Sequence, residues 1–114
     1  MDYHDGKYGI NTSSSRGADT FIPFRSETNY VFFNLNGTTT PKSYTFTKRP
    51  DSVYILLGSS GGGVSVSNLS QITYQWQMGG EGYWNGGFAT AIPTDDTITF
   101  KPRGSNKAFA LMFW

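Results

Sequence analysis

The chain has no cysteine and a single histidine among its 114 residues. The first absence removes disulfides, thiolate nucleophiles and zinc–thiolate centres together. The second leaves His4 as the only imidazole base, in a polar stretch near the start where a solvated side chain is the ordinary role. A Ser–His–acid triad is therefore not expected. Charge is also sparse, at 15% of residues with a net of +1. No basic field exists to draw in nucleic acid or an anionic membrane, so neither is an expected partner. No apolar run approaches the ~20 residues that span a bilayer. The opening residues, MDYHDGKYG, contain no apolar h-region, which points to cytoplasmic synthesis without a signal peptide.

What is abundant is aromatic and β-branched. Phe, Trp and Tyr make up 17% of the chain, while Ala and Leu, the strong helix formers, are few. The short runs fall at the spacing of an all-β domain. Asn29–Asn36 places Val31, Phe33 and Leu35 on one face and Tyr30 and Phe32 on the other. Lys42–Lys48 turns Tyr44 and Phe46 inward against Ser43, Thr45 and Thr47. Ser52–Leu57 is apolar almost throughout, as a strand covered on both sides should be, and is expected to be the most buried. Val64–Ser67 is a short strand or bulge, Thr97–Lys101 turns Ile98 and Phe100 inward, and Lys107–Trp114 is nearly all apolar. An exposed last strand of that kind would invite aggregation, so it is expected inside a sheet or at a subunit interface. Asn36-Gly37, Arg49-Pro50-Asp51, Pro93–Asp96 and Pro102–Asn106 supply turns. The expected fold is an all-β antiparallel sandwich, jelly-roll or Greek-key like, of about seven to eight strands. It would occupy residues 27–114, behind an extended, irregular arm or linker over residues 1–26 in which Pro23 suits only an edge or a polyproline-like segment.

The segment GKYGINTSSSRGADTFIPF (Gly6–Phe24) resembles a stretch found in phage and prophage tail-region structural proteins of gut Firmicutes. There a glycine- and aromatic-rich linker containing RGADTF precedes a small β-rich C-terminal domain. RPDSVYILLGSSGGG (Arg49–Gly63) is similar, more loosely, to a strand of such domains. The resemblance implies a virion structural role and carries no catalytic residues.

Chemistry has few places to reside. Glycoside hydrolysis needs two carboxylates at a set separation. Asp2, Asp5, Asp19, Asp51, Asp95 and Asp96 lie at turns or in the arm, where aspartate ordinarily serves its own backbone. Neither Asp2/His4/Asp5 nor Asp95-Asp96 matches a calcium loop, and GSSGGG (Gly58–Gly63) lacks the lysine and helix of a phosphate-binding loop. No catalytic residue, metal site or cofactor is expected.

The aromatics remain. Gln71–Phe88, QITYQWQMGGEGYWNGGF, begins with Ile72, Tyr74, Trp76 and Met78 alternating with Thr73, Gln75 and Gln77. It ends as Tyr83-Trp84 framed by glycines, which is either a tight aromatic-packed turn or a ligand-facing loop. Flat rings stack on sugars while amides and carboxylates take the hydroxyls. Trp84, Tyr83, Trp76, Glu81, Asn85 and Gln77 contain each of those groups and are the candidate ligand-binding residues. Tyr74 and Trp76 are expected mainly in the core, as strand-face aromatics of a small β-domain usually are, and the Tyr83-Trp84 pair is the candidate floor of a site.

Two functions follow from these readings. The first is a non-enzymatic structural or attachment module of a phage or prophage tail-region protein, on the virion or an extracellular face, forming a homo-oligomer through the C-terminal strand. The alternative is a lectin-like module that binds a glycan through surface aromatics. A glycoside-active enzyme, which would need a second carboxylate beside Glu81, ranks a distant third.

Overall fold

The computed structural model describes residues 29–80 and 82–114, and before them the backbone of three short strands. Those strands, β1 (Asp2–His4), β2 (Lys7–Asn11) and β3 (Phe21–Pro23), form an antiparallel sheet in the order β1-β2-β3. This segment is thus not irregular throughout. Pro23 lies on β3, an edge strand, opposite Gly9 of β2. The expected domain boundary at residue 26 lies outside the described residues.

From Tyr30 onward the fold is all-β and antiparallel, with no helix among the described residues. Eight strands build it: β4 (Tyr30–Asn34), β5 (Lys42–Thr45), β6 (Val53–Ser59), β7 (Val64–Ser67), β8 (Leu69–Gly80), β9 (Tyr83–Pro93), β10 (Thr97–Pro102) and β11 (Ala108–Phe113). They pair in the order β4-β11-β6-β9-β7-β10-β5, with β8 on the other edge of β9. The sheet curls until it is nearly closed, like a barrel, and its open seam lies between the end strands β4 and β5.

The crossover that curls it lies between β6 and β7. Gly58 of β6 pairs with Gly86 of β9, and after a short loop Val64 of β7 pairs with Trp84 on that same strand. β7 then leaves β9 to pair with β10. Bending one strand line from one partner to the next lets a single sheet enclose a core.

That core holds Leu35, Val53, Ile55, Leu57, Val64, Ile98, Phe100 and Met112, all 1% exposed or less. β6 is flanked by β11 and β9, which is why its alternate residues Val53, Ile55 and Leu57 are sealed. β11 is likewise internal, paired along its length with β4 and β6. Both of its hydrogen-bonding edges are occupied, so a second copy cannot add to the C-terminal strand edge-on. Small residues at Ala89, Ala91, Ala108 and Ala110 leave room for the larger rings of the core.

The two outer surfaces differ sharply. Outside β5, β10 and β7 the side chains are hydroxyls: Ser43 pairs with Thr99 at 2.7 Å and Thr45 with Thr97 at 2.8 Å. Outside β4, β11, β6, β9 and β8 they are apolar. One straight row of strand partners crosses all five: Phe32, Leu111, Leu56, Phe88 and Trp76. Tyr54, Phe88 and Phe113 stack beside it with centroids 4.9–6.2 Å apart and rings within 18° of parallel. Phe88 and Phe113 are fully buried, whereas Tyr30 and Phe32 on β4 are 49% and 55% exposed.

Candidate functional site

The aromatic stretch forms one long hairpin whose faces are set by bulges. β8 and β9 close between Gly80 and Tyr83, with Gly79 and Gly82 at positive φ. The glycine-rich half is therefore the tight turn rather than an open loop, because glycine alone takes that backbone without strain. Glu81 lies outside the described residues.

Trp84 points into the core and is 4% exposed. Strict alternation would have placed it with Gly86 and Phe88 on the outer face. Between Met78↔Gly86 and Gly79↔Trp84 the register shifts, so Asn85 is an extra residue that reverses the parity of β9. The indole lies against Gly87, where an added Cβ would come within 3.1 Å of it. Tyr83 is half-buried with the Arg103 guanidinium 5.2 Å from its ring centroid, and Asn85 is exposed. Tyr83 and Trp84 thus form no shared exposed platform, since neighbouring strand residues point to opposite faces.

A second bulge divides β8. Tyr74 pairs with Ala89 and Trp76 with Phe88, leaving Gln75 as the extra residue. Tyr74 therefore shares a side with Trp84, ring edge to ring face at 5.1 Å, while Trp76 joins the outer aromatic row. Trp76 is half-buried over Gly86, whose hydrogen leaves space for the indole and for Met78. The expectation that Ile72, Tyr74, Trp76 and Met78 form one core-facing row is corrected here. Among the described residues β8 pairs with β9 alone, and Ile72, Tyr74 and Met78 are 36–58% exposed. Gln77 is half-buried opposite Gly87. Of the five candidate residues that are described, Trp84 faces the core, Trp76 joins the outer aromatic row, Tyr83 and Gln77 are half-buried and Asn85 is exposed.

Two clefts occur elsewhere. One, of about 420 Å³, lies beside the stacked rings of Phe32 and Phe109. Its polar groups already serve the fold: Asn36 accepts from the Ala108 N–H, Ser59 closes its own loop, and Ser60 accepts from the Lys107 N–H. The other, of about 500 Å³, opens at one end of the β4/β5 seam. Tyr44, Phe46 and Trp114 line it, with Asn29, Lys48, Arg49 and Asp51 also contributing. Among the described residues no hydrogen bond or ion pair engages the side chains of Lys48 or Asp51. Sequence patterning missed this cleft because it joins the two ends of the domain. The local sign is the apolar chain end Phe113-Trp114, whose pattern points to a sheet interior or a subunit interface and not to a cleft.

These features define a cysteine-free, all-β module with one hydroxyl-clad face and one apolar face that is covered at its centre and exposes Tyr30 and Phe32 at one end. No protein-family model matches the chain, and neither curated proteins nor solved structures gave a match.

Proposed function

We propose that this chain is a non-enzymatic structural and attachment module of a phage or prophage tail-region protein, acting on a virion or extracellular face. The observation that carries the proposal is the asymmetry of the two outer faces. A freely solvated module would be expected to clothe both in polar side chains, as β5, β10 and β7 do. The opposite face instead exposes Tyr30 and Phe32 on an end strand, beside Phe109, whereas Leu111, Phe88 and Phe113 of the same apolar face are already covered. Exposed aromatics at a sheet end mark a contact surface. The resemblance of Gly6–Phe24 to tail-region linkers supports the setting.

The partner proposed for this face is a second copy of the chain. With both edges of β11 paired, assembly proceeds through the β4 side of the face rather than by adding strands to β11. A net charge of +1 offers little repulsion between copies. Sedimentation velocity over a concentration series tests this. Wild type should self-associate, and Phe32→Glu should shift it to monomer with an unchanged circular dichroism spectrum. A wild type that stays monomeric throughout removes the assembly from the proposal.

A glycan-binding role on Tyr83 and Trp84 has no support from their geometry, because the indole is sealed in the core.

A further inference from the structure

The outer apolar face is covered over only part of its width. Two rows of strand partners cross it, Phe32–Leu111–Leu56–Phe88 and Tyr30–Phe113–Tyr54–Thr90. Tyr30 and Phe32 on β4 are exposed, yet their direct partners Phe113 and Leu111 are buried, and Phe88 two strands further on is sealed completely. A single layer of side chains leaves its upper surface in water, as Phe32 does, so Phe88 and Phe113 have a second layer over them. Among the described residues, the apolar cluster around them holds only Tyr54, Leu56, Leu111 and Trp76 of the same face. The second layer therefore comes from elsewhere. The burial arises within a single chain, so a second copy is not its source. Neither row contains a charge, so the covering surface must itself be apolar.

We infer that the cover is the chain's own N-terminal sheet, β1–β3, docked face to face on β11, β6 and β9. The register of that sheet sorts its positions by character. Tyr3 pairs with Tyr8 and Ile10 with Ile22, and strand residues two apart share a face, so these four positions fall on one side. Asp2, His4, Lys7 and Asn11 fall on the other, with Phe21 at the β3 edge. A sheet of three short strands with one apolar side needs a second layer to bury it. The connection also reaches. β3 ends at Pro23 and β4 begins at Tyr30, so seven residue steps, up to about 25 Å of extended chain, join them. Crossing from β4 to β9 takes about 14 Å and rising to a stacked sheet takes about 10 Å, which together fit that tether. Three strands are as wide as β11, β6 and β9 and no wider, which leaves Tyr30 and Phe32 open at the margin. The segment that resembles a linker is thus a layer of the domain itself. Where copies assemble as proposed above, a consequence that rests on that reading, the docked sheet confines their contact to the β4 end.

Because the chain has no cysteine, engineered cysteine pairs report the docking without background. Ile10→Cys with Leu56→Cys tests contact between the middle strand of the N-terminal sheet and the centre of the face. Ile10→Cys with Ser43→Cys is the matching pair on the hydroxyl-clad side. In the full chain a short bismaleimide should link the first pair within one molecule and leave the second unlinked, as mass spectrometry of the digested monomer reads. Links formed only between copies, or equal linking of the two pairs, overturn the inference. Ile10→Asp places a charge in the apolar interface and should undock the sheet, raising the fluorescence of an apolar dye several-fold. Asn11→Asp, on the other side of the same sheet, should leave dye binding at the wild-type level. Equal dye binding by these two variants also counts against the docking. Phe32→Glu separates this inference from assembly: it should keep the intramolecular link while sedimenting as a monomer. A link lost with Phe32→Glu would assign the cover to a second copy and overturn the inference.

Discussion

Gly79 and Gly82 sit three residues apart in the same hairpin, and both have positive φ, 96° and 81°. Their surroundings differ. A Cβ on Gly82 would meet nothing within 4 Å, whereas one on Gly79 would lie 2.8 Å from both the Asn85 amide nitrogen and the Tyr83 carbonyl oxygen. Those are backbone atoms of the bulge, and they cannot swing aside as a side-chain tip would. Gly82→Ala should therefore cost only the left-handed backbone penalty, about 1–2 kcal/mol. Gly79→Ala should cost at least about 1 kcal/mol more, from overpacking against fixed atoms. Urea denaturation of the two variants checks the ranking, and equal midpoints would mean that the bulge yields. A glycine's conformational need was readable in the run GGEGYWNGG. Which glycine also made room for a crossing strand was not, because that depends on where Asn85 lands.

At the scale of elements, position in the pairing order decides behaviour more than composition does. β6 and β11 each have two strand partners, while among the described residues β8 has one and no partner on its other edge. Amide exchange should follow this order. Backbone N–H groups of β6 and β11 should exchange only through global unfolding, and those on the open edge of β8 should exchange fastest among the strands. Hydrogen-exchange mass spectrometry or NMR reads this directly, and uniform protection across β8 would indicate that something covers its edge. The apolar run Val53–Leu57 is sealed on one face only, at Val53, Ile55 and Leu57, while Tyr54 and Leu56 are half-buried. The most buried strand is therefore β11 instead of the expected β6, since its residues are buried except Phe109. β8 has a clean alternation in sequence and nevertheless leaves Ile72, Tyr74 and Met78 exposed. Periodicity reports that one face prefers burial, but not whether a partner is there to supply it.

Among the described residues, apolar packing on both faces of one sheet outweighs charge, which contributes a single exposed ion pair. The Arg49–Asp96 pair is exposed, with the two side chains 44% and 60% accessible. Arg49→Ala should consequently change stability by less than about 0.5 kcal/mol. Thermal denaturation with and without added salt would check it. A large loss for Arg49→Ala, abolished by salt, would mean that the seam is held electrostatically.

The sequence by itself determined the secondary-structure class, the approximate number of strands and the inward residues of each uninterrupted run. These follow from a two-residue side-chain period and from turn residues whose backbone preferences act within a few positions. Tertiary structure alone decided where the aromatics went. One extra residue at Asn85 turned Trp84 from the outer face to the core, and one at Gln75 parted Tyr74 from Trp76. A bulge exists only relative to a partner strand, so no pattern within one strand can announce it. The seam cleft has the same origin, because Tyr44 and Trp114 lie far apart in the chain and meet only when the sheet curls nearly shut.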